Sequence, residues 1–234
     1  MRTRILIPAI AALAVAAQAG PAGAGVVRVA PTQRLAVVLT PHVAFSRPAP
    51  TAAQEQVVSP ITPLTHEQTR LPVLGKYRGP QGVLWLHVLL PGRPNGHAGW
   101  IKAPGTKAAW THWAIVVDVA RRTVEVYDRG SLVKRFEVVV GRPSAPTPTG
   151  RFYVEESLSI IPGYPGGPFA LALSARSNVY SEFDGGPGQI AFHGIFGIGG
   201  VPGTAVSHGC IRVDSADMGW LGAHIPPGVP VRIV

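Results

Sequence analysis

The sequence has 234 residues with 28 Gly and 24 Pro, about twice the average share of these residues, which excludes an architecture of long helices. Hydrophobic residues make up 46% of the chain and charged residues 14%, a balance that supplies a core and excludes a disordered polyelectrolyte. The 21 Lys and Arg against 12 Asp and Glu suit an anionic partner, but they form no basic run, and no nucleic-acid motif accompanies them.

Arg2 and Arg4 precede an apolar run over residues 5–17, closed by Ala17-Gln18-Ala19 in the small-x-small form of a signal-peptidase site. The run falls short of the roughly 20 residues that cross a bilayer. Residues 1–19 therefore read as a cleaved secretory signal rather than a retained anchor, with no membrane span in the mature chain. Residues 20–32 form a Gly- and Pro-rich leader. The folded part begins at residue 33, with a strand over 35–39 and a long loop over 47–65 that holds Pro48, Pro50, Pro60 and Pro63. Three short strands follow over 71–74, 83–90 and 98–102, separated by turn residues such as Arg78-Gly79-Pro80. This spacing predicts a small antiparallel barrel over 33–106, and residues 104–110, without a strand pattern, mark a boundary.

A second pattern starts at Trp113. Strands are expected over 113–119, 123–127 and 132–140, then over 151–154, 169–173, 189–193 and 229–234. Val124 and Val126 alternate with Glu125 and Tyr127, as one buried face requires. One helix is expected, capped by Asp214, carrying Met218, Leu221 and Ile225 on one side and stopped by Pro226-Pro227. The chain thus reads as mainly β: a β-sandwich or mixed β domain over 111–234 with one short helix, preceded by the small barrel.

Cys210 is the only cysteine, so it closes no intramolecular disulfide. It lies in Ser207-His208-Gly209-Cys210-Ile211-Arg212. A neighbouring imidazolium or guanidinium favours the nucleophilic thiolate, and an unpaired thiol outside the cell is more often reactive than structural. The small Gly209 admits a carbonyl substrate, and the N–H groups of Gly209 and Cys210 could face a developing oxyanion. His193-Gly194 ends a strand 17 positions earlier, where a histidine serves as a hydrogen-bonding residue or as a base. The other six histidines form no ligand-spaced pair, so no metal site is expected. No Walker loop, dinucleotide fingerprint or GxSxG elbow is present, and no cofactor is called for.

His193-Gly194, a 12-residue loop and then Ser207-His208-Gly209-Cys210-Ile211-Arg212 closely resemble the catalytic signature of bacterial L,D-transpeptidases, which crosslink peptidoglycan. The likeness extends over 111–234, including Thr147-Pro148-Thr149-Gly150 and Gly228-Val229-Pro230-Val231-Arg232-Ile233. Ile195 stands where Thr or Ser is common in that family. The resemblance implies Cys210 as nucleophile, His193 as proton acceptor and donor, and the Gly194 carbonyl as the group orienting the imidazole. It gives His208 a supporting role, and places Arg212 and Ser207 near the substrate. The reaction it implies is a 3→3 crosslink between stem peptides, made through a Cys thioester with release of D-Ala. Hydrolysis of the same bond by an L,D-carboxypeptidase is the alternative, and a non-catalytic wall-binding protein is a further one. Residues 33–106 resemble a bacterial SH3-like domain, which implies a spacer or wall-binding module. The expected protein is a secreted monomer of the cell wall or periplasmic space, with donor and acceptor stem peptides as partners.

Overall fold

The computed structural model describes residues 28–80, 82–183 and 185–234. The expected signal at 1–19 and the leader up to residue 27 lie outside the described residues. The first seven strands are β1 (Gln33–Val38), β2 (His42–Phe45), β3 (Gln54–Val58), β4 (Arg70–Arg78), β5 (Leu84–Leu89), β6 (Ala98–Lys102) and β7 (Thr106–Thr111). They form one antiparallel sheet in the order β3-β2-β6-β5-β4-β1-β7. Alternation places Ala36 and Val38, Leu71 and Val73, Leu86 and Val88, and Ile101 on the inner face, where all are buried.

Two expectations are corrected here. The Pro-rich stretch 47–65 is not loop throughout, because β3 pairs with β2 inside it. Residues 104–110 are not strandless, because β7 pairs with β1 from Gln33↔Thr111 to Val38↔Thr106. The sequence TKAAWT lacks apolar alternation because β7 is an edge strand with five of its six residues half or fully exposed, all but Thr111.

The second sheet holds β8 (Trp113–Asp118), β9 (Thr123–Asp128), β10 (Ser131–Glu137), β12 (Gly150–Ser159), β13 (Phe169–Arg176), β14 (Gln189–Gly194), β16 (Ile211–Val213) and β17 (Pro230–Ile233). Its order is β10-β9-β8-β17-β12-β13-β14-β16, with β8–β17 and β14–β16 parallel and the other pairs antiparallel. The remaining strands, β11 (Val140–Gly141) and β15 (Ala205–Ser207), pair with each other. The single helix among the described residues, α1 (Ser215–His224), begins where Asp214 accepts a hydrogen bond from the Ala216 N–H. Met218 and Leu221, with Ile225 just beyond, join Ile115, Val126, Leu171, Phe192, Ile211 and Val231 in one core. The fold is mainly β with one short helix, and among the described residues no helix is long and apolar enough to cross a membrane.

The two sheets share buried groups. Tyr153 of β12 is 1% exposed and packs in the core of the first sheet. Its neighbour Glu156 is fully buried, and its Oε2 accepts the Leu64 N–H at 3.0 Å and the Thr65 N–H at 2.7 Å. An unpaired carboxylate there would be costly to bury, so the loop before β4 is a required partner of the second sheet.

Candidate active site

His193 stands next to last in β14, whose burial alternates: Ile190 and Phe192 face the core, while Gln189, Ala191 and His193 face outward. The parallel partner β16 repeats the pattern, with Ile211 and Val213 inward and Arg212 outward, in register with His193. Cys210 comes one residue before β16, half-buried, its Sγ 4.0 Å from the Gln189 carbonyl oxygen. His193, Cys210 and Arg212 are thus brought to the outer face of one parallel strand pair. The far side of β16 is fixed by Val139, which exchanges two backbone hydrogen bonds of 2.9 Å with Arg212.

The imidazole orientation is set locally. His193 Nδ1 lies 2.9 Å from the Gly194 carbonyl, which can only accept, so Nδ1 carries the proton and Nε2 is left as the basic nitrogen. Gly194 itself is demanded by close approach: its N–H donates to the Gly166 carbonyl at 2.6 Å, and a Cβ there would overlap the Gly167 carbonyl. Residues 160–168 are held over His193 in this way, and the Gly166 N–H reaches the Phe196 carbonyl at 2.7 Å to join the following loop.

The turn before the thiol is built from hydroxyls. Ser207 Oγ donates to the Cys210 carbonyl at 2.6 Å and accepts the Gly209 N–H at 3.1 Å. Thr147 Oγ1 accepts the Gly141 N–H at 2.9 Å and donates to the Gly209 carbonyl at 2.8 Å. Gly209 has φ +120°, a left-handed conformation that only glycine adopts without strain. Two expectations are corrected by this arrangement. Ser207 is fully buried with its hydroxyl committed to the turn, so it is a positioning residue rather than a substrate contact. The Gly209 N–H is likewise engaged and does not face an incoming oxyanion. Thr147, given no site role from sequence, is what ties the turn to the segment after β11; its place in Thr147-Pro148-Thr149-Gly150 was the available signal. His208 packs its ring against Tyr180 and Phe183, with centroids 5.8 and 5.6 Å away.

Burial sets the resting protonation. It pushes the Cys210 thiol above its ordinary value, against a hydrogen bond from the Ala191 N–H and the Arg212 guanidinium, which pull the other way. It also holds the His193 imidazole below its ordinary value; the Gly194 carbonyl opposes this and Arg212 adds to it. The expected lowered thiol pKa is therefore reversed, because desolvation outweighs the nearby cation. Both shifts favour a neutral thiol beside a neutral imidazole. Beneath them, Gln189 Nε2 donates to Glu155 Oε2 at 2.9 Å, and Glu155 is paired with Arg176 at 3.2 Å in the interior. Among the described residues, no three His, Cys, Asp or Glu side chains are grouped to hold a metal ion.

Comparison with known proteins agrees with the part of the chain that carries this geometry. YkuD of Bacillus licheniformis is 30% identical over 152 residues, covering 62% of this chain and 84% of that protein. YkuD of Bacillus subtilis is 29% identical over 151 residues, with the same coverage. Among solved structures, an Enterococcus faecium L,D-transpeptidase is 21% identical with a TM-score of 0.41, covering 52% of this chain and 49% of that one. A Mycobacterium smegmatis L,D-transpeptidase is 16% identical with a TM-score of 0.40, covering 65% and 90%. This chain therefore spans about half the length of the Enterococcus protein. The family model for the YkuD L,D-transpeptidase catalytic domain matches residues 112–233, from the residue before β8 to the end of β17, and the chain belongs to that family.

Proposed function

We propose that this protein is a secreted peptidoglycan L,D-transpeptidase that forms 3→3 crosslinks through a thioester on Cys210. The observation that carries this reading is the outer face of β14 and β16, where a half-buried thiol and a histidine with a fixed tautomer share one surface. In the first step Cys210 Sγ attacks the carbonyl between the L-centre of the third stem residue and its terminal D-Ala, as His193 Nε2 takes the thiol proton. The tetrahedral intermediate collapses by breaking the C–N bond. D-Ala leaves with the proton from His193, and the donor stays on sulfur as a thioester. An amine of a second stem then attacks, giving its proton to His193. The thiol leaves, and His193 returns that proton to it. With the Gly209 N–H engaged in its turn, the Cys210 N–H is the backbone donor assigned to the oxyanion. In this reading Arg212 contacts the substrate, and His208 supports the thiol's flank. Residues 1–19 direct export, so the site works outside the cytoplasm on wall peptides.

Mass spectrometry of the full protein incubated with a purified disaccharide-tetrapeptide tests the reading. A crosslinked dimer with loss of D-Ala is expected. Tripeptide without dimer would make the protein an L,D-carboxypeptidase, and unchanged substrate would overturn the enzymatic reading.

A further inference from the structure

Between β13 and β14 the chain passes through residues 177–188, where the only bridge among the described residues joins Phe183 and Gly186. This loop forms a wall beside the thiol, because its Tyr180 and Phe183 rings pack on His208, two residues before Cys210. Inside the wall, Arg142 Nη2 reaches Tyr180 Oη at 3.3 Å, Ser177 Oγ accepts the Val179 and Tyr180 N–H groups at 3.2 and 3.1 Å, and the Ser177 N–H donates to the Gly188 carbonyl at 2.7 Å.

Charged and side-chain supports come from the other sheet, out of the turn between β5 and β6. Arg93 Nη1 donates to the Pro187 carbonyl at 3.0 Å, and its Nη2 donates to the Ser177 and Tyr180 carbonyls at 2.9 and 2.8 Å. One guanidinium thus gathers both ends of the loop. Asn95 continues the clamp in the manner of a neighbouring strand: its Oδ1 accepts the Arg176 N–H at 2.8 Å and its Nδ2 donates to the Arg176 carbonyl at 2.6 Å. The same Nδ2 reaches Asn178 Oδ1 at 2.9 Å, and the Gly92 N–H donates to the Ser174 carbonyl at 3.0 Å. Three converging carbonyls require a donor with several N–H groups in a fixed fork. Arginine supplies it, and lysine offers a single point charge instead.

We infer that Arg93 and Asn95 are positioning residues of the catalytic cleft, through which the N-terminal sheet sets the wall that binds the donor stem peptide. Neither residue touches reacting atoms. Each acts by holding Tyr180 and Phe183, whose apolar surface, with Phe183 51% and Val179 51% exposed, suits the methyl groups and aliphatic chain of an alanine- and diamino-acid-containing peptide. The peptide assignment rests on the function proposed above; the clamp does not.

The test compares full-length wild type with Arg93→Ala, Arg93→Lys and Asn95→Ser in three measurements. Hydrogen exchange of the amides in 177–188 reports the clamp, iodoacetamide alkylation of Cys210 reports the thiol alone, and KM and kcat on the tetrapeptide report the wall. Arg93→Ala is expected to speed exchange in 177–188 and raise KM about tenfold, the loss of hydrogen bonds to a charged donor, with kcat changed less than about threefold and alkylation unaltered. Arg93→Lys should recover part of KM. Should Arg93→Ala fail to fold, Asn95→Ser carries the same expectations at smaller amplitude. Unaltered exchange overturns the clamp, and faster exchange with an unchanged KM overturns its role in binding. Equal losses in KM, kcat and alkylation would reduce Arg93 to a general stabilising residue and overturn the inference. A wild-type protein that leaves the tetrapeptide unchanged overturns the function reading alone, and the clamp then stands or falls on exchange.

Discussion

At Cys210 the surroundings decide chemistry that neighbouring letters do not. The thiol is held up and the imidazole held down, both chiefly by burial, so in the proposed mechanism the proton moves only as sulfur attacks. His193 must be neutral to accept it. Its base form persists to lower pH than an ordinary imidazole allows, and the acid limb of the acylation rate should fall below about pH 6.5. Alkylation of Cys210 should keep rising past about pH 8.5, where a free thiol is half ionised. A stopped-flow pH series on both reactions checks this; a neutral-pH plateau in alkylation would mean a preformed thiolate. His193→Ala should remove most acylation, and His208→Ala should change it less. Ser207 allows a sharper separation of roles. With its hydroxyl bonded to both Cys210 and Gly209, Ser207→Ala should lower stability by about 1–3 kcal/mol and slow acylation, leaving KM near wild type. A rise in KM alone would restore it as a substrate contact. That His193 and Arg212 would lie next to Cys210 was legible from the motif, and β14 and β16 do pair with His193 opposite Arg212. Burial of Ser207 and desolvation of Cys210 were not legible, since both depend on which strands close over the turn.

Secondary structure was readable wherever one face of an element is buried and the other wet. Val124 and Val126 against Glu125 marked β9, and Asp214 marked the start of α1. The helix is fixed at several points: Asp214 caps it, Asp217 sits in its first turn 2.8 Å from Lys134 Nζ, and Met218 and Leu221 face the core. Asp214→Ala should cost about 1 kcal/mol, lowering the melting temperature by roughly 2–4 °C in a calorimetric scan. No change would mean that packing alone holds the first turn. Elements too short or too exposed to alternate were missed. β15 and β16 have three residues each, and β7 presents its side chains largely to solvent at the edge of its sheet. Such strands are defined by their partners, Val140 and Gly141 for β15, Phe192 to Gly194 for β16 and β1 for β7.

Across the whole molecule, the sequence indicates two β modules in succession and suggests that the second could stand alone. The structure argues against that independence. A chain starting near residue 108 would cut β7, strip the core that surrounds Tyr153 and leave the fully buried Glu156 carboxylate without the Leu64 and Thr65 N–H groups. Such a truncation should be insoluble or melt at least several degrees below the full chain, and the full chain should unfold in one calorimetric transition. Two separate transitions, or a stable and active truncation, would show the modules to be independent. Alternation in a strand reveals which face is apolar but not what covers it, so a strand over 151–154 gives no sign that Tyr153 enters the core of the first sheet. The place of β17 adds a consequence for how the chain is assembled. It lies between β8 and β12, parallel to one and antiparallel to the other, and it is all that joins the β10-β9-β8 meander to the rest of its sheet. During synthesis the meander can form early, but the eight-stranded sheet cannot close until residues 230–233 have left the ribosome. The chain therefore stays incompletely folded until residues 230–233 have been made, the state in which a polypeptide can still be threaded through a narrow channel.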